Sequence, residues 1–393
     1  MLTNCPACGN TNFSEVVKLT GLPERANQLF DSRFYAQRAT CADMLLVLCN
    51  QCSLVYNRYF SEPVTPYGGD YENALDGSDV FCQWAESKAN SLITNHRLNG
   101  KAIVEFACGN GYFLKLLCTG NNNTGIGYDP ALIDNELSTH TNCTFIAEHY
   151  LGGDAEMAAD LVVARHYIEH LSEPQQFLSN VRSILQANQH ATAYLEVPDS
   201  FSILTNRQPW DFITEHITYY TSHSFRSLLE GSGLQVERIS SEYGGQFLCA
   251  EVKTGKVRTI SRKIREGAST KDKPLCFRQP GFAETISLWR DRLKQWKADG
   301  YKIGVWGAGS KGCIFSQLVG VSNLSLIVDI NPKKQGHFLP ASGLPIISPA
   351  EVVNLNMDIL ILANPQYRNE VIELLSKLNV TARLISMNES MEF

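Results

Sequence analysis

A chain of 393 residues with 34 Lys and Arg against 40 Asp and Glu carries a formal charge of -6, and 44% of it is hydrophobic. That is the composition of a folded, water-soluble polypeptide, long enough for two or three domains at roughly 100 to 200 residues each, and it excludes disorder over most of the chain. The acidic balance argues against a broad basic surface for coating nucleic acid or anionic lipid.

The opening, MLTNCPACGNTNF, has neither the basic stretch nor the apolar core of a secretory signal. The longest apolar run, Met44 to Leu48, is far short of the roughly 20 residues that cross a bilayer. A cytoplasmic protein without nucleic-acid or membrane partners is expected. Residues 1 to about 60 read as turn-rich with short apolar stretches, and MLLVLCNQCSLVYN as a strand, a cysteine-bearing turn and a second strand. A Gly/Asn/Asp-rich connection leads into a helical pattern from Val80 to Leu98.

From Lys101 strands alternate with helices: KAIVEFA, a helix from Tyr112 to Leu117, TGIGYD, CTFIAEH, DLVVARH, a helix near Pro174 to Leu185, and ATAYLEVP. Such alternation predicts a mainly parallel, doubly wound sheet. LQVERISSEY and GQFLCAEVKT read as two closing strands, followed by a charged helical stretch of about 40 residues ending at Lys297. A second, shorter series begins at Tyr301: YKIGVWG, a helix from Lys311 to Leu318, LSLIVDI, DILILAN, a helix from Tyr367 to Leu378, and ARLISM. The expected class is α/β in three parts: a zinc-binding unit over 1–70, a nucleotide-binding unit over 71–255, and a helical linker with a second Rossmann-like unit over 256–393.

Twelve cysteines are too few for a disulfide scaffold of this length, and four form two CxxC turns, Cys5-Pro-Ala-Cys8 and Cys49-Asn-Gln-Cys52. Two such turns can converge four thiolates on one Zn²⁺ and so support a segment too short to build its own core. A redox pair needs only one CxxC. Four thiolates leave no open position, so the metal is expected to be structural.

In IVEFACGNGYF a strand bearing Glu105 runs into a loop with Ala107, Gly109 and Gly111 that opens a helix at Tyr112, and the next strand ends at Asp129-Pro130. Small residues let a ligand approach the backbone, and an acid ending the second strand can accept hydrogen bonds from ribose hydroxyls. The loop lacks a full GxGxxG for pyrophosphate. An acid beside it suits the cationic methionine of S-adenosylmethionine, and Arg165, His166 and Glu169-His170 after the fourth strand would border that cofactor.

Taken together, IVEFACGNG, DLVVARHYIEHL, YLEVPD, ITEHITYYT and YGGQFL, with paired CxxC turns before and a second Rossmann-like series after, resemble the sugar C-methyltransferases of deoxysugar biosynthesis. The resemblance covers nearly the whole chain. It implies a zinc-bearing N-terminal domain, a central class I S-adenosylmethionine domain, and a C-terminal domain that helps enclose a nucleotide-linked 4-ketosugar, in a monomer or homodimer.

Methylating carbon next to a ketone first requires removal of a proton, to which an imidazole oriented by a carboxylate is suited. The resemblance makes His216 the base and Glu215 its assistant. Both can reach one substrate only if their segment is a turn, because neighbours on a strand face opposite ways. The chain has Phe212-Ile213-Thr214 where other members carry a tyrosine before this pair, which leaves Tyr67 and Tyr71 as candidate phenols. Gly244, Gly245 and Gln246, with Lys311 and Lys334, are expected at the substrate. Gly307-Ala-Gly309-Ser-Lys-Gly312 is a complete GxGxxG with Asp329 ending the next strand. By itself it predicts a dinucleotide site, and hence an NAD-dependent oxidoreductase as the alternative activity. The resemblance instead assigns a related turn that meets a substrate phosphate. An O- or N-methyltransferase on the same frame, and a non-catalytic zinc scaffold, stay open at this point.

Overall fold

A computed structural model describes residues 1–62, 71–132, 142–150, 158–257 and 281–389. Tyr67 and most of the charged stretch before Phe282 fall outside the described residues; the helix of that stretch runs Phe282–Ala298.

Three strands open the chain: β1 (Phe13–Pro23), β2 (Cys41–Cys49) and β3 (Val55–Asn57). Five parallel strands follow: β4 (Ala102–Phe106), β5 (Thr124–Tyr128), β6 (Cys143–Ile146), β7 (Leu161–Arg165) and β8 (Thr192–Pro198). Then come β9 (Thr218–Tyr219), β10 (Leu234–Glu242) and β11 (Phe247–Thr254), and last β12 (Ile303–Trp306), β13 (Leu326–Val328), β14 (Ile346–Ile347), β15 (Ile359–Leu362) and β16 (Arg383–Ser386). They make three sheets: β1-β2-β3-β9, then β10-β11-β8-β7-β4-β5-β6, then β14-β13-β12-β15-β16. The central sheet reverses strand order on either side of β4, and only β11 runs antiparallel to the other six strands. The third sheet is wholly parallel and winds outward both ways from β12.

The N-terminal unit holds more strand than its turn-rich sequence suggests. β1 spans 11 residues, FSEVVKLTGLP, but two bulges break its pairing with β2, between Glu15 and Val17 and between Leu19 and Leu22. Each bulge shifts the alternation of apolar and polar positions, which erases the period-two signal.

β2 explains the apolar run MLLVLC. Met44, Leu46 and Leu48 face one way, into a core shared with Ile303, Phe315 and Ile361 of the third sheet and its helices. Leu45, Val47 and Cys49 face the other way, into a core with Phe106, Val162 and Leu195 of the central sheet. A strand buried on both faces has no polar side to alternate with, so it reads as a continuous apolar run. The first sheet is therefore a common wall between the two larger units.

The wall is closed by a segment that comes from far along the chain. β9 joins the first sheet, pairing Tyr219 with Val55 and Thr218 with Tyr56. Just before it, Trp210 inserts between Trp289 and Phe315, with ring centroids 6.4 and 5.5 Å away, and its indole N–H donates to Asn388 Oδ1 at 2.8 Å. Residues 209–219 thus belong to three units at once.

Because β2 serves both cores, Leu45→Ala and Leu46→Ala, on opposite faces, should each cost about 2 to 5 kcal/mol and lower one shared unfolding transition. Denaturant titration followed by fluorescence and circular dichroism checks this; a variant that melts one unit and leaves the other at its original midpoint contradicts it.

Candidate active site

The cofactor loop lies at the carboxyl ends of β4 and β5, where open α/β sheets bind ligands. Ala107, Gly109 and Gly111 have φ of 54°, 56° and 73°. At Gly111 a side chain would meet the Phe145 ring at 2.3 Å, so close packing of the helix onto the sheet requires glycine there. At Gly109 an added Cβ would meet nothing within 4 Å, so the loop backbone is open to a ligand. Asp129 accepts from the Gly109 N–H and the Ala131 N–H, each at 2.8 Å, and each oxygen keeps a lone pair for a further donor. Pro130 beside it is exposed. Tyr112 starts the helix, and its phenol faces Cys82.

Glu105 is buried, and its Oε2 has no hydrogen-bond partner among the described residues. Burial raises its carboxyl to about 8, with the Arg165 guanidinium pulling the other way. A buried carboxylate oxygen in need of a donor, beside a loop with open space at Gly109, fits the cationic amino acid end of S-adenosylmethionine.

Arg165 itself does not line that space as expected. Its Nε lies 3.1 Å from Glu196 Oε1 and its guanidinium sits 4.2 Å over the Phe113 ring, so it acts on the site as a charge from behind. Glu196 also accepts from the Tyr194 hydroxyl at 2.6 Å. Burial works against its ionisation, but Arg165 and His166 hold its carboxyl down at about 2. His166 has φ 51° and turns the chain out of β7. Its Nε2 is 3.0 Å from Glu196 and its Nδ1 3.5 Å from Glu169. Burial would lower its pKa, yet the two carboxylates push it up to about 9.

Glu215 and His216 occupy a turn, the condition under which both can face one ligand; the His216 N–H closes it onto the Ile213 carbonyl at 3.0 Å. The turn is bonded on two sides. Ile217 donates to the Glu169 carbonyl and accepts from the Asn57 N–H, both at 2.8 Å, and His170 Nδ1 lies 3.0 Å from the Glu215 carbonyl. That bond fixes the proton of His170 on Nδ1, since a carbonyl can only accept.

The His216 ring makes no hydrogen bond among the described residues, and it stands edge-on to His170 at 4.7 Å. Burial, reinforced by His170 and His166, holds its pKa well below 6.5, so it is a neutral imidazole at pH 7. Glu215 accepts from the Ala26 N–H at 3.4 Å and faces the Tyr71 hydroxyl, which accepts from Asn27 at 3.3 Å. Burial raises its carboxyl to about 7, against those bonds and the charge of Arg25. Arg25 and Asn27 were missed in the sequence: both are buried polar residues in a loop with no motif around them.

The residues expected at the substrate are distributed differently. Gln246 and Asn364 exchange two amide hydrogen bonds, at 3.0 and 3.1 Å, and a side chain at Gly244 would strike Gln366 at 2.1 Å. Gly244, Gly245 and Gln246 therefore sit where the central and C-terminal units touch, joined also by the Tyr243–Tyr367 hydroxyl pair at 2.9 Å. Lys311 is paired with Asp211 at 2.6 Å, and Lys334 is buried with its ammonium on the Ala308 carbonyl at 3.3 Å. Asp329 bonds the loop's own Ala308 N–H at 2.6 Å, and Gly312 packs so closely on the Gly307 carbonyl that a Cβ would lie 2.0 Å from it. The complete GxGxxG shapes this turn, and Asp329 is buried beside it.

The four cysteines converge. Cys5 and Cys52 have sulfurs 3.6 Å apart, as do Cys8 and Cys49, and all four lie within 4.8 Å of one another. These separations exceed a disulfide, and they match the edge of about 3.8 Å that zinc–sulfur bonds of about 2.3 Å give a tetrahedron. The donor set fits Zn²⁺. Among the described residues no helix is long and apolar enough to cross a membrane.

Residues 78–239 match the family described as a methyltransferase domain, and residues 274–385 the family described as the C-methyltransferase C-terminal domain. Over 398 residues the chain is 24% identical to the C-methyltransferase NovU of Streptomyces niveus, covering 95% of this chain and 92% of that one. Among solved structures, an S-adenosylmethionine-dependent methyltransferase from Aquifex aeolicus aligns over 46% of this chain and 100% of its own at 15% identity and a TM-score of 0.34. Magnesium protoporphyrin IX methyltransferase from Synechocystis PCC 6803 aligns over 45% of this chain and 80% of its own, at 16% and 0.34. These TM-scores are too low to add to the assignment. The second family covers the GxGxxG turn that had suggested an oxidoreductase. With a class I methyltransferase sheet, and with matches to a methyltransferase domain and to a C-methyltransferase C-terminal domain, the chain is an S-adenosylmethionine-dependent methyltransferase.

Proposed function

We propose that this methyltransferase adds a methyl group to carbon next to a ketone in a nucleotide-linked sugar, with His216 as the base and Glu215 beside it. One observation carries the reading: a neutral imidazole without a hydrogen-bond partner among the described residues, held in a turn bonded to the segment that follows β7. O- and N-acceptors carry their own lone pair, whereas carbon needs a base first.

When bound, S-adenosylmethionine supplies an electrophilic methyl on a sulfonium. Glu105, Gly109, Gly111 and Asp129 would hold it, with Ala107 and Tyr112 shaping the loop. His216 takes the proton next to the ketone, and the carbonyl oxygen bears the charge of the enolate. Tyr71, between Asn27 and Glu215, is the phenol that can donate to that oxygen, and Arg25 adds a positive charge nearby. Glu215, poised near neutrality, keeps Tyr71 oriented. Tyr67 lies outside the described residues and stays a candidate from sequence. Most of the acceleration would come from fixing carbon, base and methyl in line.

We also assign a structural zinc to Cys5, Cys8, Cys49 and Cys52, because Cys49 ends β2 and the metal would fasten the common wall.

Intact-mass analysis of thymidine and uridine diphosphate 4-ketosugars incubated with S-adenosylmethionine should show a gain of one methyl, and NMR of the product should place it on the carbon next to the ketone; methylation confined to oxygen or nitrogen contradicts the reading. Glu215→Gln should lower methyl transfer yet raise stability. The sign follows from a folded pKa above the ordinary one: the carboxyl is no burden below pH 4.5, and its burial cost grows as pH rises through about 7. At pH 8 the gain is on the order of 3 kcal/mol, taking about 1.4 kcal/mol per tenfold. Melting curves at pH 5 and pH 8 check this, and an equal change at both contradicts it. Metal analysis should find one zinc per chain, and Cys49→Ser should lose it and lower the melting temperature of the whole protein; a metal-free chain of unchanged stability contradicts the assignment.

A further inference from the structure

Methyl transfer from a sulfonium to carbon leaves a neutral thioether and releases one proton per turnover. Under the reading above, that proton starts on His216, which is 9% exposed. A buried imidazole whose neighbours include two other histidines cannot keep a proton through repeated cycles, so the site needs an exit.

Glu169 stands beside it, on the short turn Ile168–His170 that follows β7. It is 1% exposed, and neither carboxylate oxygen has a hydrogen-bond partner among the described residues. A carboxylate oxygen of Glu169 and a ring nitrogen of each of His170 and His216 lie within 4.8 Å of one another. One water making two bonds of about 2.8 Å spans such a gap. On its other side Glu169 is 3.5 Å from Nδ1 of His166, whose side chain is 31% exposed. The groups facing Glu169 are His166, His170, His216 and the phenols of Tyr219 and Tyr220; Glu196 and Arg165 face His166 in turn.

We propose that Glu169 is the proton carrier of this site, taking from His216 the proton removed from the acceptor and passing it through His166 to solvent. The steps balance. The C–H bond breaks, its electron pair stays on carbon, and an N–H bond forms on His216. That pair forms the C–CH₃ bond while the S–CH₃ pair stays on sulfur. The N–H bond of His216 then breaks as a water carries the proton to a Glu169 oxygen. Neutralising Glu169 removes one of the two carboxylate charges that keep His166 protonated, so His166 sheds a proton to water and accepts the one on Glu169. Glu169 touches neither substrate nor cofactor in this scheme; it acts through His216.

The inference rests on the base role of His216, and the test separates the two. Glu169→Gln and Glu169→Asp are compared with His216→Ala, using a thymidine diphosphate 4-ketosugar and S-adenosylmethionine, in single and multiple turnover, across an imidazole series at fixed pH and ionic strength. Glu169→Gln should keep a first turnover within roughly 3-fold of the parent and lose roughly 10- to 100-fold in steady state, the usual scale of a proton-transfer role. Added imidazole should restore much of the loss, and Glu169→Asp should keep more of the rate. A first turnover as slow as the steady state, with no response to imidazole, overturns the proposal. If His216→Ala transfers methyl unchanged, the base assignment fails with it; if only the imidazole response is missing, the base assignment stands and the carrier falls. Independently of any acceptor, NMR of labelled histidine rings should show the His166 and His216 titrations moving together to lower pH in Glu169→Gln, and titrations that stay in place overturn the coupling.

Discussion

The arrangement of this enzyme depends on a strand with no outside. β2 is buried on both faces, Met44, Leu46 and Leu48 toward the C-terminal sheet and Leu45, Val47 and Cys49 toward the central one. Burying six side chains on two faces makes the first sheet a wall that neither neighbour can leave without exposing apolar surface. The wall then recruits β9, two residues from a remote part of the chain, and the turn carrying Glu215 and His216 directly precedes it. Main-chain bonds from Ile217 to Glu169 and Asn57 fix that turn between the wall and the carboxyl end of β7. Packing thus sets where the imidazole stands.

Electrostatics then divides the labour among buried groups by their surroundings. His166, between Glu169 and Glu196, is held protonated, whereas His216, with histidines for neighbours, is held neutral. Glu196, between Arg165 and His166, is held ionised, whereas Glu105 and Glu215 are pushed toward neutrality by burial. A carboxyl raised to about 7 can orient the Tyr71 phenol without placing a full charge beside it. Burying such groups costs stability, and it is the kind of local conflict that functional sites retain.

Much of this was legible in the sequence because it has short-range signatures. The strand and helix alternation, the loop from Glu105 to Gly111, the acid at Asp129 and the two CxxC turns each announce themselves within a dozen residues. The turn at Glu215 could be stated as a condition, and the backbone satisfies it. What was not legible depends on distant partners. Two bulges hid β1, the double burial of β2 looked only like an apolar run, and nothing around Trp210 indicates that it fills the core beside Trp289 and Phe315. Gly244-Gly245-Gln246, part of the YGGQFL motif, were expected at the substrate; in the structure Gln366 packs against Gly244. Lys311 looked like a phosphate ligand, but its counter-ion is Asp211.

The central claim is that a neutral His216 removes a proton from carbon before any methyl moves. Incubating a thymidine diphosphate 4-ketosugar with the enzyme in D₂O, without a methyl donor, and following the carbon next to the ketone by NMR tests it most directly. The account predicts deuterium wash-in by the parent enzyme at neutral pH and its loss in His216→Ala. Wash-in at an equal rate in that variant, or none with the parent while methyl transfer proceeds, contradicts it.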